Sequence, residues 1–447
     1  MARDYIHFTN NATQKLPADN LLIGSIRTMA SDSYVTDSAA SASAYSCGLK
    51  TYNGAIGVDD DVMPCGTVLE AAKDQGFKTG LVVTSRITHA TPASYVAHIW
   101  DRDEEAEIAL QEIGYTHPFG PQVDILMGGG RCFFMPQSSE GSCRKDNINV
   151  LKIAKSYGYS VFSDKEGFKK KHKLPYLGLF TLDHMSYSID RDPKKEPSLT
   201  EMALKALDDL YAATKYSEKG FFIMIEASRI DHAGHANDAT GHLHDILEYN
   251  NAILAITKWI DKHTDSPTLM ISTADHECGG LTVGDNYMWL PDALTKSKSS
   301  SEAVAVTWSS YTGPNPDSFL QSLFNKYGVL TPTSTQLAAA KAAKADPKVS
   351  NFVFSKALAE LLLVNFATLG HTAADVSLLG YGVGYEQFRG HHDNTEVAGF
   401  VTRTLNLDLA KITKRLAKEK KWIEQRVKAK EGTKIKRGGR EHLAHHH

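Results

Sequence analysis

The sequence lacks long hydrophobic runs, and this excludes several kinds of protein. No stretch of about 18 consecutive apolar residues occurs in the 447-residue chain, so an ordinary transmembrane helix is absent from it. The opening residues, Met-Ala-Arg-Asp-Tyr-Ile-His, have no apolar segment after the charges. We therefore expect neither a secretory signal nor a membrane anchor in this chain. No internal repeat is visible, which argues against a solenoid or a propeller.

Cysteine is also scarce. The chain has five cysteines, Cys47, Cys65, Cys132, Cys143 and Cys278, and none forms a Cys-x-x-Cys pair. A zinc ribbon is therefore not expected. The close spacing of the first two and of the next two is compatible with two short disulfide loops, and equally compatible with free buried thiols.

Positive charge is scarce in the body of the chain and concentrated at its end. The net charge is −3, but residues 411–447 carry 13 Lys and Arg against 4 Glu, or +9, which leaves −12 for the rest. An acidic body argues against a nucleic-acid partner. For the basic tail we favour a solvated helix with a disordered end over a contact with an acidic partner or a membrane.

What the sequence does contain is an alternation of strand and helix patterns, which predicts an α/β fold. The predicted strands are 79–85, 123–127, 177–182, 220–227 and 268–273, with 34–36 strand-like and 1–32 irregular to helical. Apolar strands of this kind predict a three-layer αβα sandwich around a mostly parallel central sheet. We assign residues 1–410 to one domain with an accessory insertion at about 284–365, and 411–447 to a basic tail.

One short stretch places a serine at the start of a helix. In Tyr34-Val-Thr-Asp-Ser38, the strand-like residues lead into Asp37 and Ser38, and small helix-forming residues follow. A serine hydroxyl there lies beside free backbone N–H groups, a position that favours bound anions. The simpler interpretation is an ordinary serine N-cap.

Two Asp/His pairs follow predicted strands and indicate a metal site. Asp231 and His235 are four residues apart, so a helix would place both on one face. Asp275 and His276 follow the strand at 268–273 directly, at the kind of strand end where α/β sheets bind ligands. His371 and the triplet His391-His392-Asp393 are further candidates. Carboxylate and imidazole donors suit Zn²⁺.

At this point the chain resembles the alkaline phosphatase family, and several fragments most resemble its fungal vacuolar type. The resemblance rests on motifs that run in family order from about residue 20 to residue 408 and is weakest across 284–365. The motifs are Val35-Thr-Asp-Ser-Ala-Ala-Ser-Ala, His89-Ala-Thr-Pro, Glu226-Ala-Ser-Arg-Ile-Asp-His-Ala-Gly-His235, Thr273-Ala-Asp-His-Glu277 and Gly370-His-Thr-Ala-Ala-Asp.

The resemblance implies a hydrolase of small phosphate monoesters that uses two Zn²⁺ ions, one Mg²⁺ ion and a phosphoserine. Ser38 would be the nucleophile, Arg102 the phosphate clamp and Asp37 the group that orients it. The implied ligands are Asp231, His235 and His371 for one zinc, Asp275 and His276 for the second, and Glu226 and Thr91 for magnesium. His89 and His232 would lie just outside these ligands. A homodimer and a vacuolar or membrane-associated location are also implied.

The chain departs from the family pattern at its start. The family has an Asp-Gly-Met-Gly motif after its first strand, a central strand of the sheet, and the motif's Asp bridges the second zinc and the magnesium. This sequence has no such motif, so we expect that the strand and one bridging ligand are missing. We favour a truncated form of an active enzyme over an impaired protein, and in either case expect reduced activity.

Two further functions compete with the phosphatase. One is a metal-binding or interaction protein that keeps the fold without catalysis. The other is a phosphodiesterase or a sulfatase of the same superfamily. The position of Ser38 between Asp37 and Ala39, with Arg102 spaced after Thr91, argues against this second alternative.

Overall fold

The computed structural model describes residues 1–10, 14–419 and 422. The helices are α1 (Ala2–Asn10), α2 (Ser38–Cys47), α3 (Val68–Asp74), α4 (Ala90–Ala93), α5 (Glu105–Glu112), α6 (Val150–Ser156), α7 (Lys165–Lys169), α8 (Leu199–Thr214), α9 (Arg229–His235), α10 (Ala239–Lys262), α11 (Asp292–Lys296), α12 (Ser301–Ser310), α13 (Pro316–Lys326), α14 (Ser334–Ala342), α15 (Pro347–Leu362), α16 (Thr395–Leu405) and α17 (Leu409–Leu416). The strands are β1 (Leu22–Arg27), β2 (Lys78–Arg86), β3 (Ile125–Gly129), β4 (Ser160–Phe162), β5 (Tyr176–Leu179), β6 (Phe221–Glu226), β7 (Leu269–Thr273), β8 (Glu277–Cys278), β9 (Leu281–Val283), β10 (Val364–Phe366), β11 (His371–Thr372), β12 (Val376–Gly382) and β13 (Gly390–Asp393).

A parallel sheet of five strands, in the order β4-β5-β3-β2-β6, forms the larger part of the centre. Helices cover both of its faces, since one core cluster joins the sheet to α5 and α6 and another joins it to α8 and α10. Alternating apolar strands and amphipathic helices produce this arrangement because each sheet face must be buried against a helix layer. The predicted αβα sandwich is confirmed.

A second sheet of four strands has the order β13-β1-β12-β7 and is mixed in direction. Its strand β1 was not predicted, and the expectation that residues 1–32 are irregular to helical is wrong there. This strand has no continuous apolar run, and Ile26 is its one fully buried residue. It also contains Gly24, where an added Cβ would lie 1.8 Å from the carbonyl oxygen of Gly390 on the neighbouring strand. The close approach of two backbones therefore replaces the side-chain pattern that marks most strands.

The two sheets do not join. Within the described residues, β6 pairs only with β2, and β7 pairs only with β12. The edges between them line a cavity of about 1560 Å³, and every residue of both strands is only half-buried. The prediction of a strand at 220–227 is confirmed, but its complete coverage in the sheet is wrong. This open slot between β6 and β7 separates the two sheets, and it lies where the missing central strand was expected.

Several other expectations can be compared with the structure. Residues 34–36 form bends and not a strand, because their backbone turns to present Asp37 as the cap of α2. Both short cysteine pairs, Cys47–Cys65 and Cys132–Cys143, are disulfides, with Cα atoms 5.8 and 4.9 Å apart. The region 284–365 consists mainly of the five helices α11 to α15, whose apolar cluster also includes residues of α1 and α10. Its boundaries as an insertion remain a prediction.

The C-terminal tail can be compared only in part. Helix α17 begins at Leu409, and the predicted disordered end falls outside the described residues. Among the helices that the structure describes, none has the length and apolar content that a bilayer crossing requires.

Candidate active site

Asp37 caps helix α2 and fixes its entry. One carboxylate oxygen of Asp37 accepts a hydrogen bond from Ala40 N at 2.9 Å, and the other accepts from Gly54 N at 2.9 Å. Ser38 is therefore the first residue of the helix and not its cap, which leaves its hydroxyl available for chemistry. The Ser38 Oγ lies 3.0 Å from His276 Nε2.

Asp37 also holds Arg102. The second oxygen of Asp37 accepts from Arg102 Nη1 at 3.0 Å, and both side chains are less than a tenth exposed. Arg102 Nη2 donates to His89 Nε2 at 3.3 Å. A guanidinium held from two sides beside a helix N-terminus offers fixed donors to an anion at Ser38.

Helix α9 and the short antiparallel pair of strands β8 and β11 bring the predicted ligands of the first zinc together. Asp231 and His235 lie one turn apart on α9, with Oδ2 and Nε2 separated by 3.4 Å. His371 enters from β11, and its Nε2 is 3.6 Å from the other oxygen of Asp231 and 3.0 Å from His235 Nε2.

The tautomers of these two histidines suit a cation. His235 Nδ1 donates to the carbonyl of Leu369 at 2.6 Å, and His371 Nδ1 donates to the carbonyl of Thr36 at 2.8 Å. Whenever these rings are neutral, the lone pair of each is therefore on Nε2, and the two Nε2 atoms face each other. This arrangement is repulsive without a cation and is the one that metal-binding histidines adopt.

The second pair, Asp275 and His276, follows β7 as predicted. Asp275 Oδ2 lies 3.0 Å from His276 Nε2, the same nitrogen that faces the Ser38 hydroxyl. His276 Nδ1 and Asp231 Oδ1 are buried, 3.9 Å apart and without a hydrogen-bond partner in the described part of the chain. Unpartnered buried atoms of this kind, next to three acidic side chains, fit a bound cation.

Glu226, at the C-terminal end of β6, and Thr91, in α4, line the same cavity as these pairs. Desolvation raises the pKa of Glu226 to about 8; a hydrogen bond from Ser228 opposes the rise, and the charge of Asp275 adds to it. Thr91 Oγ1 is buried and has no hydrogen-bond partner among the described residues. Two hard oxygen donors without a counter-charge fit Mg²⁺.

The electrostatics of Asp231 differ from those of Glu226. Burial works against its charge, yet the neighbouring histidines, His235 above all, hold the pKa of Asp231 well below its usual range. Asp231 is therefore an ionised carboxylate ready to bind a cation, whereas Glu226 keeps a proton until a cation or a base displaces it.

His89 and His232 lie together beside this group, with ring centroids 5.4 Å apart. The sequence analysis missed the third ring of this cluster, His184, whose centroid is 4.1 Å from that of His232. Burial, together with nearby arginines, holds the pKa of each of the three histidines well below its usual range. The signal for His184 was its position a few residues after the end of β5, at the same sheet edge as the other site residues.

Other sequence candidates do not join the site. His391 and His392 lie on β13, where His391 contacts Ser25 and His392 contacts Glu396. They stabilise the outer strand of the second sheet and its connection to α16.

A helix-borne serine, a fixed arginine and two Asp/His pairs at one sheet edge correspond to a known family. A sequence profile described as alkaline phosphatase matches residues 1–407. This chain belongs to the alkaline phosphatase family. It is 41% identical to an alkaline phosphatase of Schizosaccharomyces pombe over 93% of this chain and 80% of the relative. It is 37% identical to the repressible alkaline phosphatase of Saccharomyces cerevisiae, over 92% and 80%.

Solved structures agree. The alkaline phosphatase of Thermus thermophilus is 28% identical, with a TM-score of 0.79 over 91% of this chain and 88% of that one. A cold-active alkaline phosphatase from Shewanella is 29% identical, with a TM-score of 0.77 over 90% and 96%. The chain is thus an alkaline phosphatase-type enzyme, a metal-dependent hydrolase of phosphate monoesters.

Proposed function

We propose that this alkaline phosphatase acts through a phosphoserine on Ser38. The observation that carries the proposal is the Ser38 hydroxyl, which is freed from capping by Asp37 and lies 3.0 Å from His276 at the edge of the metal-ligand group. The Oγ–phosphorus bond forms as the ester P–O bond breaks; the serine proton passes to solvent, and the leaving alkoxide takes up a proton and departs as the alcohol. Water then cleaves the phosphoserine and releases phosphate.

The chain's own residues orient this reaction. Arg102, held by Asp37, donates to the phosphoryl oxygens, and the first turn of α2 adds free backbone N–H groups. The roles that the resemblance implies for the ligands fit the geometry: Asp231, His235 and His371 would hold one Zn²⁺, Asp275 and His276 the second, and Glu226 and Thr91 the Mg²⁺. When bound, the ions supply Lewis-acid stabilisation of charge and lower the pKa of the attacking oxygen.

We also propose that the activity of this chain is low. Tetrahedral zinc takes three or four protein ligands, and Mg²⁺ takes about six oxygens. The described residues provide only Asp275 and His276 for the second zinc and only Glu226 and Thr91 for magnesium. The slot between β6 and β7 borders these groups on the side where a further carboxylate would lie.

Hydrolysis of p-nitrophenyl phosphate in Zn²⁺ and Mg²⁺ tests the proposal. We expect slow turnover, a phosphorylated tryptic peptide containing Ser38 after an acid quench, and loss of both in Ser38→Ala. The matched control is Ser41→Ala, since Ser41 is on the same helix and its hydroxyl donates to the Asp275 carbonyl. Turnover in Ser38→Ala equal to that of the unchanged chain contradicts the phosphoserine.

A non-catalytic metal-binding remnant is the second candidate, and the incomplete second zinc set favours it. Metal content separates the two. About two zinc ions per folded chain support the enzyme, whereas one ion or none, with no turnover, supports the remnant. The homodimer and the vacuolar or membrane-associated location remain proposals that rest on the resemblance.

A further inference from the structure

Cys278 is the free cysteine of the chain, and it lies next to the predicted ligands of the first zinc. It is on β8, directly opposite His371 on β11 in an antiparallel pair. Side chains of opposite residues in such a pair lie on the same face, with Cβ atoms about 5 Å apart. The pairing of β8 with β11 therefore presents a thiol and an imidazole together, facing the Asp231 and His235 pair on α9.

One donor atom from each of Asp231, His235, Cys278 and His371 lies within 4.8 Å of every other. The separations among the oxygen and nitrogen donors are 3.0, 3.4 and 3.6 Å. Zinc–nitrogen, zinc–oxygen and zinc–sulfur bonds of about 2.0 to 2.3 Å in a tetrahedron place donors about 3.3 to 3.6 Å apart. The four side chains thus lie close enough together for one ion to bind all of them.

Two further observations point to a cation at this place. His276, whose side chain is 1% exposed, directs an unpartnered Nδ1 at Asp231 Oδ1, which is also without a partner among the described residues. Gly234, on the same helix, makes room for the thiol, because a Cβ there would lie 3.0 Å from Cys278 Sγ. The Sγ is 3.4 Å from the backbone carbonyl of Asp231, so the sulfur already contacts the segment that holds the ligands.

We propose that Cys278 Sγ is the fourth protein donor to the zinc held by Asp231, His235 and His371. The proposal rests on the first zinc site of the proposed function. As the sulfur–zinc bond forms, the thiol proton passes to solvent, and no oxidant is needed. A sulfur donor makes the site prefer thiophilic ions over Mg²⁺ and Ca²⁺. A zinc held by these four side chains would have its tetrahedral set filled by protein, and Cys278 would be the donor with which substrate competes.

Cobalt spectroscopy tests this, because Co²⁺ replaces zinc and shows a near-ultraviolet charge-transfer band only when a thiolate binds it. The four other cysteines are in disulfides, so the band reports on Cys278. The full chain, freed of metal, is titrated with Co²⁺ beside Cys278→Ser and His235→Ala. Circular dichroism of each variant checks that it is folded.

We expect the sulfur band in the unchanged chain and its loss in Cys278→Ser. That variant should still bind Co²⁺, at least about tenfold more weakly, the lower end of the cost of removing a metal-site partner. Co²⁺ binding with visible d–d bands but no sulfur band overturns the proposal and leaves the proposed function intact. Failure of the unchanged chain to bind Co²⁺ at all refutes the zinc site and the cysteine together.

A second measurement does not depend on any variant. In the unchanged chain, stoichiometric Zn²⁺ should protect Cys278 from iodoacetamide, and zinc-edge X-ray absorption should show one sulfur at about 2.3 Å. Equal alkylation with and without bound zinc contradicts the proposal.

Discussion

Two buried glutamates offer a sharp test of the electrostatics of this fold. Glu70 and Glu112 are both fully buried, with no exposed side-chain surface. Glu70 Oε1 accepts hydrogen bonds from His98 Nε2 at 3.0 Å and from His117 Nε2 at 2.9 Å, while its other oxygen accepts from Thr67 N at 2.9 Å. Glu112 has no hydrogen-bond partner for either oxygen within the described residues.

The two carboxyl groups therefore have opposite charge states. Burial works against the charge of Glu70, but the charge of His98 and the hydrogen bonds of both histidines hold its pKa well below the usual range. His98 Nδ1 faces the carbonyl of Gly57 at 2.7 Å, so both nitrogens of its ring lie against oxygen acceptors. For Glu112, burial and then the charge of Glu105 raise the pKa well above the usual range, so the group is neutral.

Glu70→Gln removes the buried anion to which His98 and His117 donate. Breaking a buried pair from one side costs about 3 to 5 kcal/mol, and we expect a loss of about 3 kcal/mol in the free energy of unfolding. Glu112→Gln is the matched control, because an amide replaces a neutral acid of the same shape and should cost less than about 1 kcal/mol. Urea denaturation followed by tryptophan fluorescence at pH 7.5 measures both.

The pH dependence has opposite signs. Because the folded pKa of Glu70 is depressed, its contribution is present above the pKa of the unfolded chain and is lost as the pH falls, so the deficit of Glu70→Gln shrinks toward pH 4. Because the folded pKa of Glu112 is raised, the unchanged chain loses stability as the pH rises past the unfolded value of about 4.3, so Glu112→Gln gains relative stability from pH 5 to pH 8. Equal costs for the two variants, or a deficit of Glu70→Gln that grows toward acid pH, refute this assignment.

Three other predictions concern the site. Arg102→Lys removes the fork that Asp37 orients and should lower kcat/KM for p-nitrophenyl phosphate by about 10- to 100-fold, with the peptide phosphorylation at Ser38 retained. Zn²⁺ should raise the melting temperature of the unchanged chain, since binding stabilises the folded state by mass action, and His371→Ala should reduce that rise, as measured by differential scanning fluorimetry. A chain extended before Met1 by an apolar strand ending in Asp-Gly should bind more zinc and turn over at least about tenfold faster than one with the same extension interrupted by prolines, as measured by metal analysis and p-nitrophenyl phosphate hydrolysis.

The sequence predicted the elements whose signal is local. Five of the strands have apolar runs bounded by turns, and the Asp/His pairs follow two of those strands, so the sheet edge that carries the site could be inferred. Strand β1 could not, because its pairing depends on Gly24 lying against Gly390, which leaves no pattern in the side chains. Tyr34–Thr36 looked like a strand from propensity, but the hydrogen bonds of Asp37 to the loop and the helix determine that segment.

The residues of the site likewise divide into those that local sequence spacing places and those that it does not. Asp231 and His235 could be paired by helical spacing alone. His184 and Cys278 could not be placed from the sequence. The neighbours of His184 are set by the order of strands in the sheet, and those of Cys278 by the two-residue pairing of β8 with β11. His184 and His232 are 48 positions apart in the sequence, and Cys278 and His371 are 93 positions apart, so only the fold brings each pair together.

The slot connects the fold to the chemistry. Glu226 ends β6 on one side of it, and Asp275 and His276 follow β7 on the other, so the proposed ligands of a second zinc and of magnesium lie at the ends of strands from two sheets that share no backbone hydrogen bond among the described residues. The proposed first zinc set depends instead on α9 and the paired strands β8 and β11, which contact each other directly, since Cys278 Sγ is 3.4 Å from the Asp231 carbonyl. A strand bound in the slot, about 20 Å long for six residues, would pair with β6 and β7 at once and fix the distance between Glu226 and Asp275. The first site is therefore formed by the folded chain as it stands, whereas the second depends on how closely the two sheets are held, and loss of the second ion before the first on mild chelation follows from that difference.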